Sequence, residues 1–364
     1  MHPAKPADPV ADTDGSKPEQ TALSNRNSGF LFAHLSDLHL SDPSGVRSRD
    51  LLNKRLLGYL SWRRHRREEH SGEVVDALVR DLKRADPGHI VITGDLTHLG
   101  LPEEFREVSK WLSELGPPGR ITVIPGNHET YIDTPWDDTM ARWLPYMTSD
   151  TPPESGTGIT ADTVFPSLRI RDGIAFLGVS SARPSAPFLA VGSLGPAQLE
   201  ALDRLLLETG QMNLYRVLLI HHPPLKETLG WRKRLVDAKR LRDVLRCRGV
   251  ELVLHGHAHR PADGRLKTRD GISPVIGVPS GSAIGLKPGR RASYNLYRVT
   301  RTGKDWELTV ESRGYSPESG EFVPENQGSV SAPDHKGGEQ QNQGNGPQGG
   351  NQGIQIQHQS QVGD

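Results

Sequence analysis

Cysteine is nearly missing from this chain. Cys247 is the single thiol in 364 residues, so no intrachain disulfide can form, and a reducing, cytoplasmic setting is the expectation. An excess of charge is missing too. Lys and Arg number 44 and so do Asp and Glu. That balance argues against a surface coated for general nucleic-acid binding and against an acidic disordered chain. Aromatic residues make up only 5% of the sequence, and mean hydropathy is −0.55. No apolar run approaches the ~18–20 residues of a membrane-spanning helix. Residues 1–28 lack the apolar stretch of a secretory leader and are rich in Pro, Asp and Ser; they read as a disordered arm. Residues 326–364 are dominated by Gln, Asn and Gly, and after Val330 only Ile354, Ile356 and Val362 are bulky and apolar. This tail cannot bury enough surface to offset its ordering entropy, so it also reads as disordered. Residues 29–325 remain, enough for one substantial core.

That core repeats one device. A short β-type apolar run leads at once into a turn carrying Asp, His or Asn. The runs are 30–33 before HLSDLHL, 89–93 before GDLTH, 121–124 before PGNHE, 217–220 before HHPP and 252–254 before HGHAH. Between them lie stretches with apolar residues at helical spacing: 72–82, 102–115, one opened by Pro196, and 239–248. Alternation of this kind predicts an α/β fold with largely parallel strands, and such sheets bind ligands at their carboxyl ends. Asp37 and His39 stand two apart, as do His257 and His259. On extended backbone each pair would share one face. With Asp95, Asn127 and either His221 or His222 they make seven donors, more than one tetrahedral zinc needs. The set suits two cations about 3.5–4 Å apart sharing a carboxylate. Imidazole, carboxylate and amide without thiolate favour Mn, Fe or Zn.

DLH at 37–39, GD at 94–95, GNH at 126–128, the His221–His222 block and GHAH at 256–259 occur in order, and together they resemble the calcineurin-like metallophosphoesterase superfamily. The resemblance implies a four-layer αββα sandwich with two mixed β-sheets and a dinuclear centre between the sheet ends. It implies Asp37, His39 and His259 on one metal, Asn127, His221 and His257 on the other, and Asp95 bridging. His221 is preferred to His222 because the ligand in similar proteins stands two before the proline. His128 would sit beside the substrate phosphate. A hydroxide bridging the metals would attack phosphorus, with Asn127 and His128 stabilising the charge that grows and His128 able to protonate the leaving group. Glu129 stands where many relatives carry Asp and is expected outside the metal shell. GDLTHLGLPEEF at 94–105 is similar to a stretch of the bacterial cyclic-nucleotide phosphodiesterase-like branch, which tilts the expectation towards diesters.

The remaining residues invite plainer readings. His34, His65, His70, His89 and His98 are expected to be structural or on the surface, and Cys247 an inert packed residue. A hairpin from 294–299 and 306–310 should close the second sheet. The 278–282 loop should lie near the site without assigned chemistry. Residues 50–69 form a basic amphipathic insertion: Leu52, Leu56, Tyr59 and Leu60 can share a helical face, beside Lys54, Arg55, Arg63, Arg64, Arg66 and Arg67. It reads either as a cap helix docked by its leucines or as an element resting on an anionic membrane, such as the inner membrane face, or guiding a lipid-linked substrate. It is similar to insertions in members that hydrolyse UDP-2,3-diacylglucosamine in lipid A synthesis, which makes that pyrophosphate hydrolysis one alternative to a small phosphoester substrate. A non-catalytic metal-binding scaffold is another. A nuclease, or stable nucleic-acid binding of any kind, is not expected.

Overall fold

Two six-stranded sheets form among the described residues. The computed structural model describes 29–65, 67–151, 158–225 and 229–330; the arm at 1–28 and the tail beyond 330 lie outside them. The strands are β1 (Phe30–Leu35), β2 (His89–Ile92), β3 (Ile121–Val123), β4 (Ser167–Arg171), β5 (Ile174–Gly178), β6 (Tyr215–Leu219), β7 (Leu252–His255), β8 (Ala262–Thr268), β9 (Gly271–Gly277), β10 (Ser293–Thr302), β11 (Asp305–Ser316) and β12 (Glu321–Val330). One sheet runs β12-β11-β10-β1-β2-β3 and the other β4-β5-β6-β7-β9-β8. β1, β2 and β3 are parallel, as are β5, β6, β7 and β9. Their carboxyl ends therefore collect at one side of each sheet.

The longer helices are α1 (Arg55–His65), α2 (Gly72–Ala85), α3 (Pro102–Leu115), α4 (Pro196–Gln211) and α5 (Ala238–Arg248). The predicted apolar stripes are what they bury. Val74, Val75, Leu78 and Leu82 of α2 and Phe105, Val108 and Leu112 of α3 pack with the first sheet. Leu199, Leu202 and Leu206 of α4 and Leu241 and Leu245 of α5 cover the outer face of the second. Each such side chain contributes about 1.5–3 kcal/mol. The inner faces meet each other: Phe32 lies edge-on to Phe176 at 5.1 Å and stacks on Tyr297 at 5.0 Å. The layers are therefore helix, sheet, sheet, helix, the predicted αββα sandwich.

Three expectations fail here. The 294–310 hairpin joins the first sheet, because β10 pairs antiparallel with β1 rather than with any strand of the second. Its alternation specified a half-buried hairpin but not which sheet would take it. β12 then extends this sheet past the expected boundary at 325/326. Cys247 is not packed: it lies on the exposed face of α5, because the buried positions there belong to Leu241 and Leu245.

Candidate metal centre

The candidate site residues stand just beyond the carboxyl ends of five strands. Asp37 and His39 follow β1, Asp95 follows β2, Asn127 and His128 follow β3, His221 follows β6, and His257 and His259 follow β7. Backbone hydrogen bonds weld these turns together: Asp37 N–H to Gly94 O at 2.9 Å, His39 N–H to Asp95 O at 3.0 Å and Gly256 N–H to His221 O at 3.2 Å. The two sheets are linked where His257 N–H donates to Asp37 Oδ2 at 2.9 Å.

The backbone at the donors is not extended. Asp37, His39, Asp95, His257 and His259 all have positive φ, at 54°, 45°, 56°, 67° and 49°. The expectation that strand alternation aims each pair is thus wrong; left-handed residues on either side of Leu38 and of Ala258 turn the chain and aim them instead. Each such residue costs about 1–2 kcal/mol, and strain of this kind concentrates at functional sites. The turns pack too closely for side chains at two positions. A Cβ on Gly94 would lie 2.5 Å from Gly126 N, and one on Gly126 would strike Asp95 Oδ1.

Two of the clusters of donor atoms that result, each within 4.8 Å, contain Asp95: Asp37, His39, Asp95 and His259 in one, and Asp95, His221 and His257 in the other. Asp95 belongs to both. Asn127 Oδ1 lies 3.2 Å from His221 Nε2. The His222 ring packs 4.4 Å from that of His257, but its nitrogens are engaged elsewhere, Nδ1 against Ser181 Oγ at 2.8 Å and Nε2 against Ala190 O at 3.3 Å. His128 N–H donates to Asp95 Oδ1 at 2.9 Å, and its Nε2 is 4.0 Å from Asp95 Oδ2.

These residues fit cations. Asp37 Oδ1 and His39 Nε2 are buried without a hydrogen-bond partner, a cost of about 1–3 kcal/mol each unless something else engages them. The other ring nitrogen is held by backbone, Nδ1 of His39 by Thr97 O at 2.7 Å and Nδ1 of His221 by Thr93 O at 2.6 Å. That arrangement orients metal-bound imidazoles. Burial holds His39 and His257 well below the usual histidine range, in the neutral form that ligates. His221 behaves differently: burial opposes its charge, but the Asp95 carboxylate 3.3 Å away prevails and raises it to about 9.

Several supporting groups were not legible in the sequence. Glu129 lies beneath the Asp95 turn and accepts from the N–H groups of Asp95, Leu96, Thr97 and Gly126 at 2.7–2.9 Å. Burial, then the charge of Asp95, pushes its carboxyl up to about 7. Ser280 Oγ donates to Asp37 O at 2.6 Å, giving the 278–282 loop a role. Glu104 of α3 accepts from His98 N–H at 2.8 Å, and the His98 carbonyl holds His128 Nδ1. His34 and His89 are structural, bonded to Thr93 and Thr122 inside the sandwich. His70 and His98 are not remote: both rings lie about 5 Å from that of His39.

The family model for calcineurin-like phosphoesterases matches residues 30–261. The chain belongs to this family. It is accordingly a phosphoester hydrolase, of a family that works with divalent metal ions. A relative from Synechococcus sp., named as a probable cyclic nucleotide phosphodiesterase, is 28% identical over 215 residues, covering 56% of this chain and 69% of its own. A dimetal phosphatase from Danio rerio has the same fold, with a TM-score of 0.54 at 15% identity over 82% of this chain and 99% of its own.

Proposed function

We propose that this metallophosphoesterase hydrolyses phosphodiesters at a dinuclear centre. Asp37, His39 and His259 would hold one cation and Asn127, His221 and His257 the other, with Asp95 available to both. The observation that carries the reading is the membership of Asp95 in both donor clusters. When bound, a cation pair lowers the pKa of water and polarises a phosphoryl oxygen. The chain's own groups do the rest. Asp95 is fixed by His128 N–H and by the Glu129 cradle, so its carboxylate needs no rearrangement to serve two ligands. The Asn127 carboxamide and His128 Nε2 face the volume where phosphate charge would grow. With Nδ1 committed to the His98 carbonyl, Nε2 is the atom through which His128 passes a proton to a leaving oxygen. A cavity of about 500 Å³ opens beside His39, walled by Trp62 and Trp111 and edged by Arg67. It suits the organic half of a diester, and the similarity to the Synechococcus relative supports a cyclic nucleotide there.

The test is metal content together with a substrate panel. The purified protein should carry close to two metal ions per chain. It should cleave bis-p-nitrophenyl phosphate faster than p-nitrophenyl phosphate, and cyclic nucleotides faster than acylated UDP-sugars. Preference for the monoester would overturn the diester assignment.

A second reading rests on the insertion. Leu52, Leu56 and Leu60 are 85%, 45% and 38% exposed, beside exposed Arg63, Arg64 and Arg67. An outward apolar stripe running into arginines supports docking on an anionic membrane, with a lipid-linked substrate reaching the cleft from there.

A further inference from the structure

His70 closes the basic insertion and comes to the edge of the donor group. One donor atom from each of His39, His70 and His259 lies within 4.8 Å of the other two. The His39 and His70 ring centroids are 4.6 Å apart, and His70 and His259 are 6.2 Å apart. His70 does not arrive there on a loose loop. It pairs with Ala283 in an isolated antiparallel bridge. Ser71 N–H donates to Ser282 O at 3.0 Å, and Ile284 N–H to Glu69 O at 2.8 Å. The ring itself is oriented through Nδ1, 2.7 Å from Ser282 Oγ. Ser282 Oγ lies 3.2 Å from Ser280 Oγ, which donates to the carbonyl of Asp37. One hydroxyl chain therefore fixes both the turn of the first aspartate and the angle of this imidazole.

We propose that His70 is an additional imidazole donor to the cation held by Asp37, His39 and His259, an inference that rests on the dinuclear reading above. The arrangement repeats what is seen at His39 and His221: a ring strapped through Nδ1 to a fixed oxygen, beside a group of donors. The insertion would then deliver a ligand as well as cap the cleft. The consequence is asymmetry. The Asp37 side gains a further nitrogen donor, whereas His70 takes no part in the cluster of Asp95, His221 and His257. Nitrogen-rich coordination favours later first-row ions such as Co²⁺ or Zn²⁺ over Mn²⁺.

The experiment is a Co²⁺ titration of chelator-stripped, full-length protein, followed by calorimetry and by the d–d absorption of bound cobalt. Wild type should take up two ions. His70→Ala and His70→Gln should leave one site unchanged and weaken the other about tenfold or more, with altered d–d bands. Ser282→Ala should shift the same site by less. Circular dichroism and melting establish that each variant is folded. A folded His70→Ala protein with an unchanged two-site isotherm and spectrum overturns the proposal. If His70→Ala does not fold, unchanged binding and spectrum in Ser282→Ala overturns it. Wild type that binds no cobalt, or an Asp95→Ala protein that binds both ions, defeats the dinuclear reading instead.

Discussion

Asp95 and His128 touch through one hydrogen bond, yet substitution should separate what they do. Asp95→Ala removes the carboxylate common to both clusters, so metal content and hydrolysis should fall together. His128→Ala removes a group proposed to act on the phosphate that belongs to neither cluster. That protein should keep both metals, by elemental analysis, and lose about 10²–10³-fold in turnover. His221 makes a prediction about the metal-free state. Its pKa rises from 6.5 in the unfolded chain to about 9 beside Asp95. The protonated ring therefore stabilises the metal-free fold fully below about pH 6.5. That stabilisation is lost as pH rises through about 9. Chelator-treated protein should melt at progressively lower temperature from pH 7 to pH 10, and His221→Asn should flatten the slope. At this scale the donors were legible because Asp, His and Asn after a strand are local signals. The groups that orient them, the carbonyls of Thr93, Thr97 and His98, carry no residue-type signal at all. Nor did anything mark His70 among 15 histidines, since its partners Ser280 and Ser282 lie more than 200 positions away.

Helices followed their apolar spacing closely where one face is buried, as in α2 and α3. The insertion did not. Its leucines were one expected docking face, but α1 is seated by Arg55, Gly58 and Trp62. Arg55 is buried and donates to the carbonyls of Leu99 and Gly100, and Gly58 lies close against Tyr131. A buried arginine satisfied by two carbonyls reads in sequence like any surface arginine. Lys54 is likewise turned inward, donating to Ser185 Oγ at 2.9 Å and Leu189 O at 3.2 Å. A second buried charge joins α2 to the distal strands. Asp81 accepts from Arg313 at 2.6 Å and from Tyr294 Oη at 2.6 Å. Asp81→Leu should strand that arginine and cost about 3 kcal/mol, the low end for a broken buried pair because Arg313 keeps Glu311. Urea unfolding measures it.

The whole molecule presents a cleft at one end of two sheets and an exposed, leucine-striped helix at its rim. Among the described residues no helix is long and apolar enough to cross a membrane. Wild type should float with liposomes containing anionic lipid and be released as salt rises, because each arginine near such a surface contributes only about 1 kcal/mol and is screened. Arg63→Ser with Arg64→Ser should lower flotation severalfold while leaving the hydrolysis of a water-soluble diester unchanged. Equal flotation of both proteins would remove the membrane reading.

The amino-acid sequence by itself determined the strand–turn units, the αββα class and the Asp, His and Asn residues that gather at the strand ends, because each is written in a few consecutive residues whose chemistry is local. Tertiary structure alone decided which sheet the last hairpin joined, which way the insertion's leucines faced and how the donors were aimed. Those outcomes depend on distant carbonyls, on left-handed backbone tolerated only within a packed framework, and on burial that no short stretch of chain can set for itself.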